Sequence, residues 1–243
     1  NPLEMHAAFA RYARTLPDAP YQPISERVEV FGCSCCPPNL IRLFAQIGGF
    51  AYGEEEGVLY VHQYISSRVS ACGCELSVQS EMTIGVKGSG RIALRIPVWQ
   101  SAVSCAVNGA FCVPETRDDY MYFSVEGETC ISLDFEMKPR FVYANEKVWA
   151  DAGRKAVEYG PLVLCAESAD NGGDLASVEI PSPDHAEIGA EGGFCVKIPA
   201  RRLKSDGALY SYLPPVREAF TLVLRPYYTW ANRGENDMQV WFL

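Results

Sequence analysis

The period of the apolar pattern changes once along this chain, near Phe50, and from there on the residues are patterned for β-structure. Ile131, Leu133, Phe135 and Met137 alternate with Ser132, Asp134 and Glu136. Ile92, Leu94, Ile96 and Val98 share one face of a run whose other face carries Arg91 and Arg95. A period of two sets one face of a strand against a core and the other in water. Residues 58–65 read as a further strand. Val103, Cys105 and Val107 lead into Asn108-Gly109, a pair suited to a two-residue hairpin turn because both central residues there need positive φ, and the chain returns through Phe111 and Val113. Residues 157–165 read as a strand with a Gly160-Pro161 break, 169–174 as a plain loop, and 194–198, 220–224 and 238–242 as additional strands. Short strands between turn signals predict antiparallel sandwiches. With a soft boundary near residue 150, one β-sandwich is expected over 51–150 and a second over 151–243.

Residues 1–50 differ. Within 37–49, Leu40, Leu43, Phe44 and Ile47 fall at helical spacing, Pro37 and Pro38 sit where a first turn tolerates proline, and Gly48-Gly49 close the run. One amphipathic helix cannot make a domain, so its apolar face needs partners that this chain mostly lacks. Together with an opening at Asn1 instead of Met, this predicts a fragment or processed product. Residues 3–13 are rich in helix formers without a clean stripe, leaving helix and extended loop both open, and the Pro-rich stretch 17–23 reads as a loop.

The formal net charge is −9, with 21 basic residues scattered among 30 acidic ones. That balance argues against nucleic acid or an anionic membrane as partner, since both require clustered Lys and Arg. No apolar run reaches the roughly 18–20 residues that span a bilayer, and no signal peptide opens the chain. The ten cysteines would permit a disulfide framework, but such frameworks belong to short secreted chains without a core. Strands and aromatics supply a core here, so buried free thiols and a reducing, cytoplasmic compartment are expected.

Cys33-Ser34-Cys35-Cys36-Pro37-Pro38-Asn39 sits directly before the helix. Cys35 and Cys36 therefore face the unpaired N–H groups and the positive dipole end of its first turn, a placement that favours thiolate over thiol. Adjacent thiolates are natural ligands for zinc. Spacing alone leaves several readings open: a nucleophile, part of a four-ligand zinc site, a strained disulfide, or inert packing. Further ligands are remote (Cys72 and Cys74, or a histidine), and Cys33 is a weaker candidate. Cys72 and Cys74 read as packing or a turn, and His62 as a strand position. Tyr227, Tyr228 and Trp230 could stack on a sugar, although aromatic strand residues more often fill a core. Glu54-Glu55-Glu56 read as a solvated turn between helix and strand, with no acid/base pairing among them.

The run from Val30 to Leu43, Val-Phe-Gly-Cys-Ser-Cys-Cys-Pro-Pro-Asn-Leu-Ile-Arg-Leu, resembles the cysteine motif of glycoside hydrolase family 127. Asn1-Pro2-Leu3-Glu4, Leu59-Tyr60-Val61-His62-Gln63-Tyr64, Val157-Glu158-Tyr159-Gly160-Pro161-Leu162-Val163 and the stretch from Pro226 to Gly234 are similar to family segments in the same order. The resemblance implies that residues 1–50 are the C-terminal end of an (α/α)6 catalytic barrel, so that the fold is mainly β, with two β-sandwich units preceded by a short helical remnant. It implies the C-terminal portion of a retaining cysteine glycosidase acting on terminal β-L-arabinofuranosides or a related sugar. Cys35 would be the nucleophile, and Cys35 and Cys36 would be zinc ligands. A third cysteine, a ligand glutamate and the acid/base glutamate are expected upstream of Asn1, so the chain alone is expected to be inactive and to bind zinc weakly. The implied partner is an arabinose-containing oligosaccharide, and a homo-oligomer stays open. Two readings compete with this one: a non-catalytic carbohydrate-binding or structural β-sandwich module, and a structural zinc or redox protein.

Overall fold

The computed structural model describes Glu4–Met5, Arg27, and residues 35–79, 82–204 and 207–243. These form a mainly β chain in two compact units, one ending at Met137 and the other built on Lys138–Leu243. Glu4–Met5 is a short strand, β1, where the composition of 3–13 left helix and loop open. Its antiparallel pairing with Met238 and Gln239 near the other terminus leaves no local trace in the sequence. The rest of 3–13 lies outside the described residues.

The unit ending at Met137 opens with the helix α1 (Cys36–Ala51). Pro37 stands in its first turn, and the helix runs through Gly48-Gly49 before stopping at Tyr52, whose backbone is extended. Tertiary context thus overrides the glycines as a stop. The strands after it are β2 (Tyr52–Glu55), β3 (Val58–Val61), β4 (Ser67–Ala71), β5 (Cys74–Val78), β6 (Thr83–Arg95), β7 (Ala102–Val107), β8 (Ala110–Cys112), β9 (Glu115–Arg117) and β10 (Tyr120–Glu136). They form one nine-stranded sheet with the path β2-β3-β6-β10-β7-β8, to which β4, β5 and β9 attach. Among the described strands of this sheet, only β3 and β6 run parallel.

β6 and β10 carry this sheet, pairing along thirteen positions from Tyr120↔Arg95 to Ser132↔Thr83. Midway, Gly127 faces Gly88, at φ +71° and +109°. Both long strands therefore leave extended geometry at the same register, a bend that residues with a Cβ resist. β5 pairs with β6 before the bend and β3 after it. Ile84, Val86, Ile92 and Leu94 of β6 lie in one core with Met121, Phe123, Ile131 and Leu133 of β10 and Leu59 and Leu76 from the flanking strands. The predicted alternation holds for Ile131, Leu133 and Phe135, whereas Ile92 and Leu94 are buried together with Ala93 between them; Val98, beyond the strand, is exposed.

The second unit contains β11 (Pro139–Tyr143), β12 (Lys155–Tyr159), β13 (Leu162–Glu167), β14 (Val178–Glu179), β15 (Glu187–Gly189), β16 (Cys195–Lys204), β17 (Val216–Pro226) and β18 (Met238–Gln239). With β1 they make a second nine-stranded sheet along β1-β18-β13-β17-β16-β14. The sequence sets its boundary near residue 150, whereas this unit begins at Lys138, because β11 pairs with β12 throughout its length. Gly160-Pro161 divides 157–165 into two paired strands. Val157, Leu164, Ile198, Leu222, Leu224 and Phe242 fill one side of the sheet. Cys165, Trp230, Met238 and Val240 pack together in a separate cluster.

Candidate functional site

Cys35 is the N-cap residue of α1 and Cys36 its first helical residue. Both thiols are exposed, with their sulfurs 3.8 Å apart. No acidic side chain occupies the first turn, so the amide end of the helix meets the sulfurs without a competing carboxylate from its own first turn. A tetrahedral zinc with Zn–S bonds of about 2.3 Å keeps neighbouring sulfurs about 3.8 Å apart. In chemistry and separation the pair therefore fits two corners of a zinc–thiolate site. Among the described residues, no group of three or more His, Cys, Asp or Glu side chains is arranged to hold a metal. Cys33 lies outside the described residues.

The apolar stripe of α1 is uncovered: Leu40, Ile41, Leu43, Phe44 and Phe50 are all exposed, and only Ala51 is buried. The helix thus stands on the sheet through its last residues, while the face read from the sequence as needing partners is bare among the described residues.

The other sequence candidates fall into place as structure. Cys72 and Gly73, both at positive φ, form the β4–β5 turn, and Cys74 is buried in the core. A Cβ on Gly90 would lie 2.7 Å from the Cys72 carbonyl oxygen and 2.8 Å from Cys74 Sγ, so this cysteine pair packs against a strand that has no side chain there. His62 follows β3, its Nδ1 2.7 Å from the Tyr120 hydroxyl; burial, then the Arg95 charge, lowers its pKa. Glu54 and Glu55 belong to β2, and only Glu56 is in the turn. Trp230 is 3% exposed and packs in the core, which removes it from sugar stacking, while Tyr228 is 66% exposed.

One cluster was not visible in the sequence, which assigns Asp170 to a plain loop. Asp170 lies in the helical turn Ser168–Asn171 and accepts hydrogen bonds from Arg225 Nε and Nη2 at 2.8 and 3.1 Å and from Arg233 at 2.8 and 2.6 Å. Glu167, fully buried, accepts from Arg233, from Asn236 and from the Ala231 amide. Burial opposes the Asp170 charge, but the hydrogen bonds from Arg233 and Arg225 outweigh it and hold the carboxyl well below the usual range. Both carboxylates find their donors inside the cluster, so it anchors the segment from Pro226 to Asn236 to β13. A carboxylate already paired to two guanidiniums is a poor proton donor.

The comparisons with known proteins fit this picture. Residues 139–243 match the glycoside hydrolase family 127 C-terminal domain. Over 96% of its length the chain is 36% identical to a non-reducing end beta-L-arabinofuranosidase of Bifidobacterium longum subsp. longum, and it spans 41% of that relative. The crystal structure of a GH127 beta-L-arabinofuranosidase from Geobacillus stearothermophilus T6 superposes on the whole chain with a TM-score of 0.81 at 28% identity, over 41% of its own length. A further GH127 beta-arabinofuranosidase structure covers 89% of this chain, with 39% of its own length, at a TM-score of 0.74 and 28% identity. The chain belongs to glycoside hydrolase family 127, with residues 139–243 forming its C-terminal domain.

Proposed function

We propose that this chain is the C-terminal portion of a retaining glycosidase that removes a terminal β-L-arabinofuranosyl group, or a related sugar, through a Cys35 nucleophile. The observation that carries the proposal is the pair of exposed thiols 3.8 Å apart at the N-terminus of α1. The names of the similar proteins supply the substrate class. In this reading Cys35 Sγ attacks the anomeric carbon, the glycosidic C–O bond breaks, and the departing oxygen takes a proton from a carboxylic acid. Water, deprotonated by the same carboxylate, then displaces sulfur, and two inversions give net retention. Cys35 and Cys36 together would hold zinc, which when bound keeps thiols deprotonated at neutral pH. Both sulfurs stand at the amide end of α1, where the helix dipole is positive.

The acid/base carboxylate and the remaining ligands are assigned to the larger part of the relatives that this chain does not match, and α1 to the edge of an (α/α)6 barrel. The bare stripe at Leu40, Leu43 and Phe44 supports that assignment, because in a complete barrel those side chains would be covered. The two β-rich units would then be the sandwiches behind the barrel. On this reading the chain alone neither hydrolyses glycosides nor holds zinc tightly. The test is hydrolysis of an aryl β-L-arabinofuranoside by the protein as its gene encodes it, beside Cys35→Ala and Cys36→Ala. The proposal expects turnover in the parent, none above background in Cys35→Ala, and zinc loss in Cys36→Ala. Full turnover in Cys35→Ala would overturn it.

A further inference from the structure

Cys105 and Cys112 occupy directly opposed positions of the β7–β8 hairpin, on either side of its two-residue turn Asn108-Gly109. Both are free thiols, and their sulfurs are 3.2 Å apart. We propose that this pair is a redox modification site, a cross-strand dithiol that closes to a disulfide when it meets a small-molecule disulfide such as oxidised glutathione.

Three observations carry the inference. First, opposed residues of an antiparallel pair have Cα atoms about 4.5–5.5 Å apart, inside the roughly 4.4–6.8 Å span that a disulfide bridges. Only the sulfurs have to move, from 3.2 Å to a bond of about 2.05 Å. Second, the two thiols differ in access. Cys105 is 5% exposed within the core, while Cys112 is half-buried on β8, the end strand of the sheet path. A reagent therefore reaches Cys112 first, and Cys105 waits behind it. Third, the Cys105 thiol donates to the Cys112 carbonyl oxygen at 3.2 Å, which holds its sulfur beside that of its partner. Burial, then the Cys112 thiol, pushes the pKa of Cys105 up to about 12, so Cys105 does not open the exchange but acts second, on the mixed disulfide already formed beside it.

The exchange balances in two steps. The Cys112 thiolate attacks one sulfur of oxidised glutathione, forming a mixed disulfide and expelling one glutathione thiolate. Cys105 sulfur then attacks Cys112 sulfur, its proton goes to the second departing glutathione thiolate, and the Cys105–Cys112 bond forms. Two protein thiols lose two electrons and one glutathione disulfide becomes two glutathiones. The product clasps the edge hairpin across its own turn.

Proteolysis offers a direct readout. Arg95 and Arg117 bound a tryptic peptide, residues 96–117, whose only cysteines are Cys105 and Cys112. The folded chain is incubated with oxidised glutathione, quenched with acid, blocked with iodoacetamide and digested. The proposal expects most of this peptide to be unalkylated and lighter by two hydrogens, and to become doubly alkylated after prior reduction with dithiothreitol. In Cys105→Ser the same peptide should carry one glutathione on Cys112. A doubly alkylated peptide, or one with two glutathiones and no closed form, would overturn it. So would an unreacted peptide in a sample whose exposed Cys35-Cys36 pair had been oxidised.

Discussion

Arg225 lies in bidentate contact with Asp170, its Nε 2.8 Å and its Nη2 3.1 Å from the two carboxylate oxygens, with both side chains nearly buried. Its remaining donors reach the carbonyl oxygens of Glu191 and Gly192. One side chain thus ties β17, the Ser168–Asn171 turn and the loop before β16 together. Removing the carboxylate would leave a guanidinium buried without its counter-charge, a change that costs about 3–5 kcal/mol in comparable buried pairs. Asp170→Ala should lower the urea midpoint of the C-terminal unit accordingly. Arg233→Ala should be costly as well: that side chain is itself 37% exposed, but it is the guanidinium paired with the fully buried Glu167 carboxylate, which the substitution would leave without its counter-charge.

The same carboxylate sets a response to acid. The folded-state pKa of Asp170 lies below the unfolded one, so its contribution is fully present above the ordinary carboxylate pKa near 4. That contribution falls away as pH drops through and below that value. Stability measured from about pH 6 to pH 2 should decline less steeply in Asp170→Asn than in the parent. Parallel curves would show that Asp170 does not carry the acid response.

The bend at Gly88 and Gly127 makes two separable predictions. At Gly127, φ is +71° and a Cβ would meet nothing within 4 Å, so Gly127→Ala should cost only the left-handed backbone, about 1–2 kcal/mol. At Gly88 the same atom would also lie 2.2 Å from the Gly73 carbonyl oxygen, so Gly88→Ala must in addition push the β4–β5 turn away. Thermal unfolding of the two variants should place Gly88→Ala well below Gly127→Ala. Equal losses would mean that the turn does not bear on β6.

Asn108 should be equally sensitive, for a local reason. It takes φ +51° and its side-chain oxygen accepts the Cys130 amide at 2.8 Å. Asn108→Ala loses both the turn preference and that bond, and about 1–2 kcal/mol of stability by urea unfolding is expected. Asn108→Gly should recover most of the turn contribution.

What was legible in the sequence was local. The alternation at Ile131, Leu133 and Phe135, the Asn108-Gly109 hairpin and the helix after Pro37 each depend on neighbours a few residues apart, and each is in the structure. The pairing of Glu4–Met5 with Met238–Gln239 and the meeting of Glu167 and Asp170 with Arg225 and Arg233 join residues far apart in the chain, and no periodicity records them. The boundary read near residue 150 differs from Lys138 for a related reason: the pairing of β11 with β12, which joins 139–143 to the later strands, is not recorded in the local pattern. At the site, the adjacency of Cys35 and Cys36 and their place before a helix were readable, whereas their 3.8 Å separation depends on side-chain rotation at the helix start.

Trapping the covalent intermediate tests the Cys35 mechanism most directly. The protein as its gene encodes it is mixed with an aryl β-L-arabinofuranoside, quenched in acid within a turnover, digested and mapped by mass. A Cys35 nucleophile predicts one arabinofuranosyl group in thioether linkage to Cys35, absent from Cys36 and from every carboxylate. Burst release of the aryl group with the sugar on an aspartate or glutamate, and Cys35 unmodified, would contradict it.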